Sequence, residues 1–203
     1  MDPAKEKAIL AAALHEFAAK SFESASTNQM AKTAGVSKGL VFHYYESKEK
    51  LYEACVMDAF RFTMEELDYE NLDFSQEPIR ELRKFCESEF IFCSNYPDIY
   101  RLLSGAMLRP PEACSKEMQE LFTRLQEMVP DFFNKLIDAL NLKEDVDRKT
   151  LLAVLQSHYS YYAAKSMGYF SNYPEASIEE AQPFVDEFLA MLAMSLQGLQ
   201  KDQ

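Results

Sequence analysis

Between residues 27 and 48 the chain gathers side chains suited to a polyanion: Thr27, Asn28, Ser37, Lys38, Gly39, Phe42, His43, Tyr44 and Lys48. Hydroxyls, amides and ammonium groups hydrogen-bond phosphate oxygens, and aromatic edges pack on thymine methyls. Taken singly, each of these is an ordinary surface residue. What points to nucleic acid is their clustering in a locally basic stretch, where Lys32, Lys38, Lys48 and Lys50 face only Glu46 and Glu49.

Such a surface needs a scaffold, and the flanking pattern supplies one. Ile9, Leu10, Ala13, Leu14, Phe17 and Ala18 recur with the 3.6 period, predicting an amphipathic helix over Lys5 to Lys20 that ends near Ser21. The run from Ser26 to Gly35 opens on N-cap residue types and closes on a glycine suited to a left-handed turn, a helix of about two turns. Ser37 caps a further short helix over Lys38 to Tyr44 or Tyr45, and Ser47 caps one that starts at Lys48. Two short helices joined by a glycine turn and packed on a longer one make a helix-turn-helix, with Phe17, Met30, Ala31, Ala34, Val36 and Val41 as its small core.

Charge divides the chain at the same place. Its 203 residues carry a net charge of -12, yet residues 1 to 55 hold seven lysines against seven acids, so all the negative charge lies beyond them. Phosphates repel an acidic surface, so the neutral N-terminal quarter is the part able to meet nucleic acid. A constitutive architectural DNA-binding protein, the alternative reading, would be basic throughout.

Glycine and proline are sparse, and strand-like alternation is nearly absent, so the expected class is all-α. Leu51, Tyr52, Cys55, Val56, Ala59, Phe60 and Thr63 mark a connecting helix over 48–67. Further helices are expected near Gln76 to Ser94, Pro97 to Leu108, Ser115 to Leu140, Asp145 to Tyr169 and Ser177 to Gln200. Pro130 should kink or split the third of these, and Ser177 with Glu180 fits a capping box. The domains are therefore 1–47, the three-helix reading unit, and 48–203, a larger helical domain.

The run from Ala34 to Leu51, AGVSKGLVFHYYESKEKL, resembles the DNA-binding signature of TetR-type bacterial transcriptional regulators. Ile9, Leu10, Ala12, Ala13 and Phe17, then Ser26, Thr27, Met30, Ala31 and Ala34, fit the same signature. The resemblance implies that the helix from Lys38 lies in the major groove, with Asn28, Lys38, Gly39 and Phe42 near bases and Thr27, Ser37, His43, Tyr44 and Lys48 near phosphates. It departs from the family at Leu40, where a small hydroxyl residue is common, and at Met30, where isoleucine is. A glycine followed by an aromatic usually precedes the first cap; Ser24-Ala25 is read as occupying that region.

The resemblance also implies a small-molecule pocket in the aromatic C-terminal part. Phe92, Tyr96, Tyr100, Met107, Phe122, Phe133, His158, Tyr159 and Tyr162 are its candidate lining, with the group Tyr159, Tyr161 and Tyr162 beside His158 the most suggestive. Glu87 and Glu89 near such rings would suit a cationic ligand through charge and cation-π attraction.

Catalysis has no visible apparatus. His15, His43 and His158 fall in separate elements, no nucleophile or phosphate-loop motif occurs, and no cysteine or histidine spacing fits a zinc site, so no metal or cofactor is expected. Cys55, Cys86, Cys93 and Cys114 read as buried thiols. No run is apolar enough for a membrane span and charges occupy the N-terminus, so a cytoplasmic protein is expected. One reading unit makes too small a contact for tight binding, so a homodimer on double-stranded operator DNA is expected. Its interface is assigned to Leu151, Leu152, Val154, Leu155, Tyr159 and Tyr162 with Phe184, Val185, Phe188, Leu189, Leu192 and Leu196. The reading as a whole is a regulator, most simply a repressor, released by a small hydrophobic or cationic effector.

Overall fold

The computed structural model describes residues 2–108, 115–173 and 177–201. Among these no strand forms, and the helices run in the order α1 (Pro3–Ser24), α2 (Thr27–Thr33), α3 (Lys38–Tyr45), α4 (Lys48–Glu66), α5 (Pro78–Asn95), α6 (Pro97–Leu108), α7 (Lys116–Ala139), α8 (Arg148–Asn172) and α9 (Ile178–Leu196). A single 3-10 turn, Tyr69–Asn71, follows α4. The all-α class is thus realised.

Side-chain caps fix most of the boundaries. The Asp2 carboxylate accepts from Ala4 N–H at 3.0 Å, Ser26 Oγ from Gln29 N–H at 3.4 Å, Ser37 Oγ from Leu40 N–H at 3.2 Å and Ser47 Oγ from Lys50 N–H at 3.2 Å. Each satisfies a first-turn amide that has no partner within its own helix. Glu180 accepts the Ser177 N–H at 2.8 Å, the reach-back half of the expected capping box.

Two local expectations change. The regular first helix breaks at Ser21, as expected, where the backbone leaves the helical region at φ 64°, ψ 169°, and a short helical turn follows to Ser24. Here Ser21 and Phe22, rather than Ser24 and Ala25, occupy the place where a glycine and an aromatic would serve, because this is the position that needs a glycine-like backbone. Helix α7 is not split at Pro130. The residues just beyond the proline, Phe132, Phe133, Leu136 and Ile137, are all buried in one core, and that packing offsets the single ladder hydrogen bond proline cannot make.

The chain forms two compact units, one of Met1–Glu66 with Tyr96–Arg124, the other of Leu67–Asn95 with Leu125–Gln203. In the first unit, α1 packs on α2, α4 and α6 around Ile9, Ala13, Phe17, Met30, Leu51 and Val56. Further along α4, Arg124 lies 5.7 Å from the Phe60 ring and Tyr96 stands edge-on to Phe62 at 4.8 Å.

The second unit is built on one core in which α5, α8, α9 and the later turns of α7 converge. Leu151, Leu155, Tyr162, Val185, Phe188, Leu189, Leu192 and Leu196 all belong to it. These are eight of the twelve residues assigned to a dimer interface, Leu152, Val154, Tyr159 and Phe184 being only partly buried, and the correction for the eight has a plain cause: the densest apolar face of a helix is claimed first by its own chain's core. Cys55 and Cys86 are buried and Cys93 half-buried, all three as free thiols; Cys114 and the side chain of Met167 lie outside the described residues.

Candidate functional site

The turn that sets α3 against α2 is a Schellman arrangement: Val36 N–H reaches Ala31 O at 3.0 Å and Gly35 N–H reaches Lys32 O at 3.2 Å. It requires the left-handed backbone that Gly35 adopts at φ 67°. Val41, on the inner face of α3, is buried, as are Met30 and Ala31 of α2, the helix against which α3 packs. With Val41 inward, Lys38, Gly39 and His43 are exposed and Phe42 and Leu40 half-exposed. Asn28 stands exposed in the first turn of α2, with Thr27 partly covered beside it.

The nine candidate residues therefore lie on α2, α3 and their edges, but they are not equivalent. Ser37 spends its hydroxyl on the cap of α3. Lys38 reaches forward along α3 to lie over the Phe42 ring, one turn on, at 5.7 Å. The Tyr44 hydroxyl accepts from Asp2 N–H at 2.9 Å and lies 3.2 Å from the Asp2 carbonyl, tying the start of α1 to the end of α3. Lys48 donates to the Glu23 carbonyl at 3.1 Å and sits 5.0 Å from the Phe22 ring, so it also closes the end of α1.

Two positioning residues are absent from the sequence reading. Glu16, on the inner face of α1, accepts from Ser26 N–H at 3.0 Å and from Lys20 at 3.0 Å. It is covered by its neighbours, 6% exposed, although it lies just under the surface. Burial alone would push its carboxyl up, but the Ser26 amide and the Lys20 ammonium outweigh that and hold it below the usual range. Glu53 on α4 does the same for α7, accepting Ser115 N–H at 2.6 Å and Lys50 at 3.1 Å. The available signal was their phase: each falls on the apolar stripe of its helix, where an unpaired carboxylate would not be tolerated.

The residues proposed to line a pocket fall in both units. Tyr96, Tyr100, Met107 and Phe122 belong to the first, where Met107 is exposed and Tyr96 lines a cleft of about 530 Å³ with Leu10, Leu14, Ala59, Phe62 and Ile99. Phe92, Phe133, His158, Tyr159 and Tyr162 belong to the second. There Phe133 is fully buried and Tyr162 stacks on Phe188 at 5.1 Å, so both fill the core. His158 bridges α8 to α9 through Ser195 Oγ at 2.7 Å. Tyr161 points outward, toward Glu187. Glu87 is engaged by Gln182 at 3.1 Å, whereas Glu89 accepts from the Tyr159 hydroxyl at 2.5 Å. Burial pushes the Glu89 carboxyl up to about 7, and the Tyr159 hydroxyl only partly counters it. Among the described residues no group of three or more metal-ligating side chains occurs, and no helix is long and apolar enough to cross a membrane.

Residues 9–55 match the family of bacterial regulatory proteins of the tetR type. The HTH-type transcriptional regulator RutR of Escherichia coli K12 is 33% identical over 105 residues, 52% of this chain and 49% of that protein. The chain thus spans about half the length of the curated relatives it matches. A TetR-like transcriptional regulator from a Rhodococcus species superimposes with TM-score 0.69 at 21% identity, over 96% of each chain. SmeT, the repressor of a Stenotrophomonas maltophilia multidrug efflux pump, does so with TM-score 0.61 at 22% identity, over 97% of this chain and 90% of that one.

Proposed function

We propose, from the premise that this chain belongs to the TetR family of bacterial regulatory proteins through its residues 9–55, that it is a ligand-responsive DNA-binding regulator acting as a repressor. The observation that carries the reading is the exposed edge formed by Asn28, Lys38, Gly39 and His43 on two short helices locked by a Schellman turn and serine caps. A major groove admits a single α-helix, and this edge belongs to the part of the chain free of net negative charge. RutR is a transcriptional regulator and SmeT a repressor, which supports the same role here. The protein needs no cofactor, catalyses nothing and works in the cytoplasm. Residues 1–47 form its reading head and 48–203 its effector and dimerisation part.

Two heads about 34 Å apart read successive turns of a palindrome, so the working form is a homodimer. With the inner faces of α8 and α9 occupied by their own core, the outer faces are what remain for the partner copy. Ala153, Ser157, Ser160, Tyr161 and Ala164 share one face of α8, and Ala190, Met191 and Met194 share one face of α9. Met194 is 76% exposed, a large apolar side chain without cover in the single chain.

The test is selection of bound duplexes from a random DNA pool by the full chain. Enrichment of an inverted repeat with half-sites about 10 bp apart supports the reading. Uniform retention of all sequences, or none, refutes it.

A further inference from the structure

A helix turns by about 100° per residue, so the burial of Val41 fixes the rotation of α3 about its own axis. With Val41 inward, Gly39 and His43 form the outermost line of the helix, and Leu40 and Phe42 lie on its two flanks. The exposures follow this order: Gly39 and His43 are exposed, Leu40 and Phe42 half-exposed. The flanks are not alike. On one, the Lys38 ammonium lies over the Phe42 ring at 5.7 Å. On the other, Leu40 gives its N–H to the Ser37 cap at 3.2 Å, and its side chain stays outside the buried core. Tyr44, one turn further along that flank, commits its hydroxyl to Asp2 at the start of α1.

A half-exposed leucine is commonplace on a protein surface. This one stands on the edge proposed to enter a major groove, beside a glycine that the fold does not require. Gly39 has no left-handed backbone to relieve, and a Cβ built on it would meet nothing closer than Ser37 Oγ at 3.9 Å. Glycine inside a helix is disfavoured relative to alanine, so the chain gives up helix stability at Gly39 with no gain in its own packing. What the missing side chain provides is closer approach of an outside surface to the α3 backbone. Such an approach carries Leu40, the next residue, toward the base edges, where the apolar group that a base pair presents is the 5-methyl of thymine.

Resting on the proposed placement of α3 in the major groove, we infer that Leu40 is a specificity-determining residue, selecting thymine at one position of each half-site by contact with the thymine 5-methyl group. The contact is apolar, and Leu40 gives no hydrogen bond to the base. A small hydroxyl side chain at the same place would bond a phosphate oxygen and carry no base information.

The probe is the duplex that the full chain enriches from a random pool, remade with each thymine in turn replaced by deoxyuridine. That exchange deletes one methyl group and leaves every hydrogen-bonding edge intact. Burial of a methyl predicts that one thymine position loses about fourfold in affinity per half-site, or about fifteenfold when both halves are changed. In Leu40→Ala this position should accept thymine and deoxyuridine alike, whereas Leu40→Met, which keeps an apolar side chain of similar reach, should retain the preference. At the same position 5-methylcytosine should bind the native protein more tightly than cytosine does, and Leu40→Ala should not distinguish the two. Gly39→Ala should fold with a Tm at or above the native value, yet bind every duplex more weakly. An enriched duplex whose binding is indifferent to every methyl overturns the inference, as does a methyl preference that survives unchanged in Leu40→Ala, or full DNA affinity in Gly39→Ala; each leaves the regulator reading in place. A pool from which no sequence is enriched removes that reading and the inference with it.

Discussion

Replacing Ser21 by glycine should stabilise this protein, against the usual sign for a glycine placed within helical sequence. Ser21 sits at φ 64°, ψ 169°, a region that a side chain with a Cβ occupies at a cost of about 1 to 3 kcal/mol. Glycine removes that cost. Against it stand the greater freedom of glycine in the unfolded chain, about 0.4 to 1 kcal/mol, and loss of the exposed Ser21 Oγ to Glu23 contact at 3.2 Å, on the order of 0.5 kcal/mol. At the midpoints of these ranges the net gain is roughly 0.8 kcal/mol, and for a chain of this size it raises Tm by about 2 to 3 °C. Ser21→Ala is the control, since it loses the same contact but keeps the Cβ, and it should be neutral or slightly destabilised. In ordinary helical backbone the order reverses, with glycine about 1 kcal/mol worse than alanine. Urea denaturation of the three proteins at pH 7 reads the order directly. If Ser21→Ala proves more stable than Ser21→Gly, the reasoning is wrong, and so is the claim that this residue breaks α1 to set Phe22 against Tyr52 and beneath Lys48, where the rings lie 5.1 Å apart.

Lys38→Ala should relax base preference at one operator position by about 1 to 3 kcal/mol of discrimination, whereas Lys48→Ala should weaken all duplexes alike and reduce the salt slope by about one; binding titrations at several salt concentrations check both. Glu16→Ala should cost about 1 to 3 kcal/mol at pH 7 by leaving the Ser26 N–H unsatisfied. Because the folded carboxyl lies below its ordinary value, the contribution of Glu16 is present above about pH 4.5 and fades as pH falls below it, so the loss measured by denaturation should shrink in acid. Glu89 has the opposite sign: its folded pKa of about 7 exceeds the ordinary 4.5, so its effect on stability is most favourable below pH 4.5 and is lost as pH rises to about 7. Glu89→Gln should therefore be more stable than the native protein at pH 8, by on the order of 2 to 3 kcal/mol, with the difference closing toward pH 4.5. If the outer faces of α8 and α9 pair two copies as proposed, Met194→Glu should sediment as a folded monomer, since that side chain lies outside the core.

The local events were legible in the residue order because each is decided within a few residues. Ser26, Ser37 and Ser47 each cap a first-turn amide three positions on, and Gly35 supplies a backbone that few other residues adopt. Helix periodicity likewise marked the elements, with the Pro97 start of α6 realised as expected. What periodicity cannot decide is which neighbour claims an apolar face. Leu151, Val185 and Leu192 were as suited to a partner chain as to their own, and only packing assigned them to the core of one chain. The same holds for buried carboxylates. Glu16 and Glu89 are the same residue type, but one meets an amide and a lysine while the other is buried against a tyrosine, so their protons are held in opposite senses. The sequence by itself determined the helices, their caps and the turn between α2 and α3, since those follow from short-range backbone chemistry. Only the tertiary structure decided the environment of each buried charge and each apolar face, since burial depends on residues far apart in the chain.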